Sequence, residues 1–198
     1  FLNCRFEDNT APSKGGAVLV YDTQGGTTHP VFVDCTFSRN KTDRTGGAAL
    51  VNGGHAQATF ASCRFEDNTC RTPLGLNINI GGALYFSTGG GRVLECTFRN
   101  NSAAYAAGAI CALTAVTDPV ADTVLVRGCT FEGNYCAEIP GVAPFAAPTE
   151  AGAAFAEGNA HLVISGCRFT NNWAETAGAV GGYRSRITIE NSVFDDNR

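Results

Sequence analysis

Hydrophobic residues along this chain occur in short runs that are separated by glycine, asparagine and charged residues. Runs such as Val31–Val33, Val124–Val126 and Leu162–Ile164 are rich in β-branched and aromatic side chains, a composition typical of strands. Nowhere do apolar residues recur at the three- and four-residue spacing of an amphipathic helix. The pattern therefore predicts an all-β chain that is built from many short strands.

These runs are part of a repeat. The phrase Cys-x-Phe-x-x-Asn returns along the whole chain, and serine replaces cysteine in its last copy. The copies begin at Cys4, Cys35, Cys63, Cys96, Cys129, Cys167 and Ser192. Between successive copies lies a second phrase, Gly-Gly-Ala or Ala-Gly-Ala, at residues 15–17, 46–48, 81–83, 107–109, 151–153 and 177–179. Each repeat is therefore interpreted as one unit that stacks on its neighbours.

The length of the repeat varies, but the two phrases do not. Successive motif phenylalanines are 25 to 38 residues apart, and the excess comes from insertions at 21–30, 70–80, 114–123 and 135–150. Without them the unit is about 21 or 22 residues long, which suits one coil of a parallel β-helix. We predict a right-handed parallel β-helix (solenoid) of about six to seven coils. Residues 1–198 would form a single β-helix segment, which we expect to be a fragment of a longer repeat protein.

Stacking converts each motif position into a column along the helix axis, because neighbouring strands lie about 4.8 Å apart. Cysteine and phenylalanine, two residues apart, point the same way, and their apolar character places both inside. The asparagine falls at a turn, where stacked amides would form an asparagine ladder. Glycines would open the next strand through positive φ or close backbone approach. Whether Ala17 or Val18 faces inward stays open, because both columns are apolar.

The alternation of Gly-Gly-Ala with Phe-x-x-Asn over residues 4–197 resembles the repeats of the chlamydial polymorphic outer-membrane proteins. The chain departs from that pattern in its last three glycine phrases, which read Ala-Gly-Ala. The resemblance implies an extracellular or cell-surface adhesin with a structural role. The expected partners of this chain are a protein or glycan at the cell surface, further coils of the same chain, or like subunits stacked end to end.

Charge and cysteine content exclude several other classes. The formal net charge is −4 and no cluster of basic residues occurs, so nucleic-acid binding is not expected. No apolar run is long enough to predict a membrane span in this segment. Zinc has little support, because Cys-x-x-Cys is absent and His29, His55 and His161 occupy unrelated positions. Stacked cysteines leave disulfides open, but we favour a cysteine ladder of buried thiols, and no cofactor is predicted.

A catalytic site is not visible in the repeat. Parallel β-helices also frame polysaccharide lyases, hydrolases and epimerases, which need carboxylates grouped on one face. The acidic pairs at 7–8, 66–67 and 195–196 lie on coils one, three and seven, too distant to share a substrate atom. We therefore predict a non-catalytic segment. The alternative is a carbohydrate-active enzyme whose catalytic coils lie elsewhere.

Three aromatic residues are the candidates for partner binding. Tyr135 and Trp173 each follow a motif asparagine on neighbouring coils, where they would form an exposed step that stacks on a sugar ring or a partner's side chain. Ordinary packing under the 135–150 insertion is the alternative. Phe145 lies within that insertion, and insertions in solenoids tend to carry recognition.

Two asparagines begin glycosylation sequons. Asn40-Lys-Thr and Asn100-Asn-Ser both overlap the repeated motif, and they would be modified if the protein follows a eukaryotic secretory route. Asn40 is itself a predicted ladder residue. Asn100 is therefore the favoured acceptor of the two.

Overall fold

The computed structural model describes residues 1–22, 28–54, 56–71, 79–114, 123–139 and 150–198. Within these residues every regular element is a β-strand, and every strand pairs in parallel with its counterparts one coil away. The strands form four sheets. A coil thus contains up to four strands, where the sequence indicated two.

Two of the sheets surround the motif asparagine. The motif sheet is made of the Cys-x-Phe segments, with strands Arg5–Glu7, Thr36–Ser38, Arg64–Glu66, Thr97–Arg99, Thr130–Glu132, Arg168–Thr170 and Val193–Asp195. The asparagine sheet follows the turn, with strands Thr10–Ala11, Lys41–Thr42, Thr69–Cys70, Ser102–Ala103 and Tyr135–Cys136. The motif therefore supplies a strand itself and does not only connect two strands.

The other two sheets complete each coil. The glycine sheet follows the glycine phrase, with strands Val18–Tyr21, Ala49–Asn52, Leu84–Ser87, Ile110–Thr114, Ala154–Gly158 and Val180–Tyr183. The return sheet leads to the next cysteine, with strands Val31–Val33, Gln57–Ala61, Gly90–Leu94, Thr123–Arg127, His161–Ser165 and Arg186–Glu190. Because all four sheets step in the same order, the predicted parallel β-helix is confirmed.

The motif phenylalanines form the predicted interior column. Phe98 pairs in register with Phe65 and Phe131, and successive rings stack with centroids 4.6 to 4.8 Å apart. A shorter column was not predicted. Phe1, Phe32 and Phe60 stack at 4.7 and 4.9 Å and meet the motif rings edge-on. Within each column the rings are nearly parallel, and between the two columns they meet edge to face. Aromatic pairs favour offset parallel and edge-to-face arrangements.

The glycine phrase bends the chain so that both columns after it reach the core. Ala48 and Ala49, the counterparts of Ala17 and Val18, are both fully buried in the main cluster. The backbone amides of Ala17 and Val18 both donate to the carbonyl oxygen of Ala48, at 2.8 and 3.0 Å. One acceptor thus takes two donors across the bend. Both positions therefore face inward, which answers the question, left open by the sequence, of whether Ala17 or Val18 does so.

The two glycines of the phrase have different tasks. Gly81 has a φ of +67°, and Ala107 adopts +56° at the same position of the next coil, so this position tolerates alanine. A Cβ added to Gly82 would lie 2.0 Å from the carbonyl oxygen of Gly108, so the second position must be glycine. This difference explains why Ala-Gly-Ala replaces Gly-Gly-Ala without loss of the fold.

Candidate binding surface

The asparagine ladder fixes the turn from which the candidate aromatic residues project. Asn101 donates through Nδ2 to the carbonyl oxygen of Phe65 and to Oδ1 of Asn134, both at 2.9 Å. Its own Oδ1 accepts from the backbone amide and Nδ2 of Asn68 at 3.1 and 2.9 Å. The same contacts continue from coil to coil, so the asparagine ladder is confirmed. Each turn has its polar groups satisfied and its geometry set.

The cysteine ladder stabilises the opposite end of the motif strand. Cys63 donates through Sγ to the carbonyl oxygen of Ala61 at 3.3 Å, and its backbone amide donates to Sγ of Cys96 at 3.3 Å. Ser192 reproduces both contacts, since its Oγ donates to the carbonyl oxygen of Glu190 and accepts from the amide of Cys167. The serine in the last motif copy is therefore an equivalent residue and not a break in the repeat.

All nine cysteines are free thiols, and eight of them are buried. Burial raises the pKa of the Cys70 and Cys111 thiols well above the ordinary value, which keeps them protonated and unreactive. In the described part of the chain, no three metal-binding side chains come together. His55 lies outside the described residues. The thiols thus contribute packing and hydrogen bonds to the frame.

Tyr135 and Trp173 lie side by side on neighbouring coils, and we call this pair the aromatic step. Their backbones form a parallel bridge, and the amide of Trp173 donates to the carbonyl oxygen of Asn134 at 3.0 Å. Tyr135 is half-buried, whereas Trp173 is 42% exposed. The predicted neighbourhood is therefore present, with the indole partly exposed. A role of the step in partner binding stays a prediction.

Arg71 extends the aromatic step on its Tyr135 side. Its guanidinium lies 5.3 Å from the centroid of the Tyr135 ring, within the range of a cation–π contact. Its Nη2 donates to the carbonyl oxygen of Glu138 at 3.0 Å. Sequence reasoning missed Arg71, because its coil is two repeats from Tyr135 and only the contact across the stack relates them.

A shallow cavity of about 260 Å³ lies beside Trp173. Asn171, Asn172, Trp173, Asp196 and Arg198 line it. The cavity thus combines an aromatic face with amide, carboxylate and guanidinium groups, which can donate to and accept from hydroxyl groups. The sequence did not indicate Asp196 and Arg198 as site residues. Both residues follow the last strand, Val193–Asp195, and only the stacking of the coils brings them beside Trp173.

The remaining predicted residues separate into accessible and inaccessible ones. Asn100 is exposed, and its glycosylation stays a prediction. Asn40 is fully buried, and its Nδ2 donates to the carbonyl oxygen of Phe6 and to Oδ1 of Asn68. On the folded chain the Asn40 side-chain nitrogen is therefore occupied by the ladder, and glycosylation of Asn40 stays a prediction. Phe145 lies outside the described residues.

The acidic residues of the motif form ion pairs on the surface. Register places Arg99 between Glu66 and Glu132, and Arg99 pairs with Glu132 at 2.8 Å. Arg39 pairs with Asp8 at 2.8 Å, and its hydrogen bond lowers the pKa of Asp8. Such exposed pairs contribute little to stability, because solvent and salt screen them. They bridge neighbouring coils and do not assemble carboxylates around a common point.

Comparison with known families agrees with this geometry. A family model described as right handed beta helix region matches residues 75–198, more than half of the chain. A model of the Chlamydia polymorphic membrane protein repeat matches residues 3–21. Comparisons with curated proteins and with solved structures give no significant match. The described residues contain no helix that could cross a membrane.

Proposed function

Because the chain belongs to the right-handed β-helix family and carries a Chlamydia polymorphic membrane protein repeat, we propose that it is a rigid adhesive segment exposed at a cell surface. It would bind a glycan through the aromatic step and the adjoining cavity, without chemical conversion of the ligand. The repeat match supports the surface location. The site chemistry supports the glycan.

Rigidity is the first requirement for such a site, since ordering a mobile surface on binding lowers the affinity. The asparagine that precedes each ring of the step is fully buried and hydrogen-bonded in the ladder, namely Asn134 and Asn172. The residue after it therefore leaves the coil at a fixed position. The frame would hold the Trp173 ring in place before any ligand arrives.

The single observation that carries the proposal is an indole that is 42% exposed beside polar side chains. Exposed apolar patches that are rimmed by polar residues mark interaction sites, and the aromatic step with its polar neighbours has this composition. Trp173 offers an apolar face to the C–H side of a sugar ring, while Asn171, Asp196 and Arg198 offer hydrogen-bonding groups to its hydroxyls. A cavity of this size accommodates a short portion of a glycan and not a large ligand.

A glycan array probed with the fluorescently labelled chain tests this function. We expect binding to a restricted set of glycans, and Trp173→Ala should weaken that binding about tenfold or more, as truncation of a central aromatic contact does. Tyr21→Ala is the matched control, because Tyr21 is an exposed aromatic residue on the glycine sheet. Unchanged binding by Trp173→Ala, or binding to protein partners but to no glycan, would overturn the proposed site.

The same bound glycan separates adhesion from catalysis. Prolonged incubation with the chain should leave its reducing ends and its ultraviolet absorbance unchanged, since hydrolysis would create the former and eliminative cleavage the latter. The motif acids pair with arginines on the surface in the described coils. Cleavage of the glycan would favour the carbohydrate-active alternative.

A further inference from the structure

A second cavity lies on the outer face of the glycine sheet. Ala154 and Ala156 of one strand point into the main core, so Phe155 and Glu157 between and after them point outward. Register places Leu113 on one side of Glu157 and Tyr183 on the other. The strand therefore presents an aromatic ring and a carboxylate to the same side, next to a second ring on the following coil.

The turn before the glycine sheet closes this cavity. The backbone amide of Glu150 donates to the carbonyl oxygen of Tyr105 at 3.1 Å, which holds these two residues on neighbouring coils. Tyr105, Glu150, Phe155, Glu157 and Tyr183 together line a cavity of about 210 Å³. We call it the acidic–aromatic pocket. It spans three coils and shares no residue with the aromatic step.

A glycine lies directly beside the Phe155 wall of the pocket. The outward column of the glycine sheet runs through Leu50, Tyr85, Cys111 and Phe155, all buried, and then reaches Gly181. A Cβ at Gly181 would lie 3.3 Å from the Phe155 ring. Any side chain there would therefore extend over the ring. The column of side chains therefore ends at Gly181, beside the Phe155 ring that lines the pocket.

The two carboxylates of the pocket have no cationic partner. Every Lys and Arg of the chain lies within the described residues, and the ion pairs found there involve Glu7, Asp8, Glu132 and Asp195. Burial raises the pKa of Glu157, and burial followed by the charge of Glu157 raises the pKa of Glu150. Two partly desolvated acids thus face one cavity without compensation.

We propose that the acidic–aromatic pocket binds an organic ammonium group, either the side chain of a partner's lysine or a small quaternary ammonium compound. Aromatic faces attract such cations through the ring quadrupole, and carboxylates in a poorly solvated site attract them more strongly than in water. Arg184, which does not line the pocket, lies 5.2 Å from the centroid of the Tyr183 ring, so this ring already attracts a cation. A neutral ligand would leave both carboxylates unpaired.

A nitrogen–proton NMR titration at constant ionic strength tests the proposal. The probes are choline chloride, Nα-acetyl-lysine amide, and 3,3-dimethyl-1-butanol, in which carbon replaces the choline nitrogen. We expect choline or the lysine derivative to shift the amide signals of Phe155, Glu157 and Tyr183, with an affinity about tenfold or more above that of the neutral analogue. Tighter binding of choline would indicate a small ligand, and tighter binding of the lysine derivative a partner protein.

Variants then locate the effect. Glu150→Gln with Glu157→Gln should weaken binding about tenfold, and Gly181→Leu should reduce it by occupying the space over Phe155. Glu190→Gln is the control, because Glu190 is exposed on the return sheet. If the double variant does not fold, Tyr183→Ala at an exposed residue provides the same test. Equal affinity for the neutral analogue, full affinity in the variants, or no shift with either cation would overturn the proposal.

Discussion

The asparagine turn and the outer face of the glycine sheet are built on opposite rules. At the turn the same side chain recurs on every coil, and the polar atoms of Asn68, Asn101 and Asn134 are all hydrogen-bonded and buried. On the outer face of the glycine sheet one column changes from Leu50 to Tyr85 to Cys111. Uniform columns therefore maintain the stack, whereas the variable column packs a different side chain on each coil and reaches the surface only near Gly181 and Tyr183.

The two regions should therefore also differ in how much a substitution changes the free energy of unfolding. A ladder residue serves the coils on both sides, so its loss leaves polar groups unsatisfied on each neighbour. A residue on the variable face contacts side chains of its own coil and of the adjacent coils, and these side chains differ from one coil to the next. Substitutions in the ladder should therefore reduce stability, while substitutions at exposed positions of the variable face, such as Tyr183, should change binding and leave the fold intact.

The largest effect is expected from Gly82→Ala, which attacks the closest approach between coils. The new Cβ would lie 2.0 Å from the carbonyl oxygen of Gly108 and 2.6 Å from the backbone of Ser102, and backbone cannot move aside as a side chain can. We expect loss of the native state at 25 °C, seen as loss of the far-UV β-sheet signal. Gly54→Ala is the control, because its Cβ would meet only Thr88, at 3.9 Å. A folded Gly82→Ala chain would show that the stack is less rigid than argued.

Phe98→Ala tests the aromatic column at its centre. Phe98 is fully buried and stacks on Phe65 and Phe131, so truncation should lower the free energy of unfolding by about 3–5 kcal/mol. Guanidinium titration followed by circular dichroism measures the change. Phe194→Ala removes the same ring where it is 44% exposed, and it should cost less than half as much. Equal losses at both positions would contradict a column whose value comes from burial.

Asn101→Ala compares a ladder position with its neighbour in sequence. The carbonyl oxygen of Phe65 and the amide groups of Asn68 would lose their partner, with an expected loss of about 2–4 kcal/mol from the buried groups left unsatisfied. Asn100→Ala changes an exposed residue with a φ of +54° and should cost about 1–2 kcal/mol, from the left-handed conformation alone. Similar losses for the two variants in guanidinium titrations would remove the distinction between ladder and surface.

The repeat allowed the frame to be predicted, because identical residues at fixed positions can stack in only one register. The columns of Phe98 and Asn101 follow from that rule. The second column, with Phe32 and Phe60, did not, because these residues belong to return strands whose sequences differ from coil to coil. The motif strand and the short strand after it were missed for another reason. Strands of two or three residues carry too little alternation to be recognised.

The surface sites could be predicted only in part. Tyr135 and Trp173 were identified because both follow a ladder residue. Their position side by side on neighbouring coils could therefore be predicted without knowing how the insertions fold. Arg71 and the acidic–aromatic pocket depend on contacts between coils whose separation in sequence is irregular. Glu150 and Glu157 belong to no repeated phrase, and only the register of the glycine sheet brings them beside Tyr183. Residues outside the repeated phrases therefore form sites that the repeat pattern alone does not predict.

The smallest effect is the part of the pH dependence of stability that comes from Glu157 on the variable face. Since burial raises the folded-state pKa of Glu157 above 4.5, ionisation opposes folding, and stability should fall as the pH rises from about 4.5 through the folded-state pKa. We expect Glu157→Gln to remove this loss of stability. The loss is less than about 1 kcal/mol, because the carboxylate stays partly solvated. Melting temperatures of the variant relative to the wild-type chain between pH 4 and 8 measure it, with Glu190→Gln as the control. A parallel pH dependence in both variants would place the titrating group elsewhere, and an ammonium ligand that restores the wild-type melting temperature at pH 7 would connect the carboxylate to the pocket.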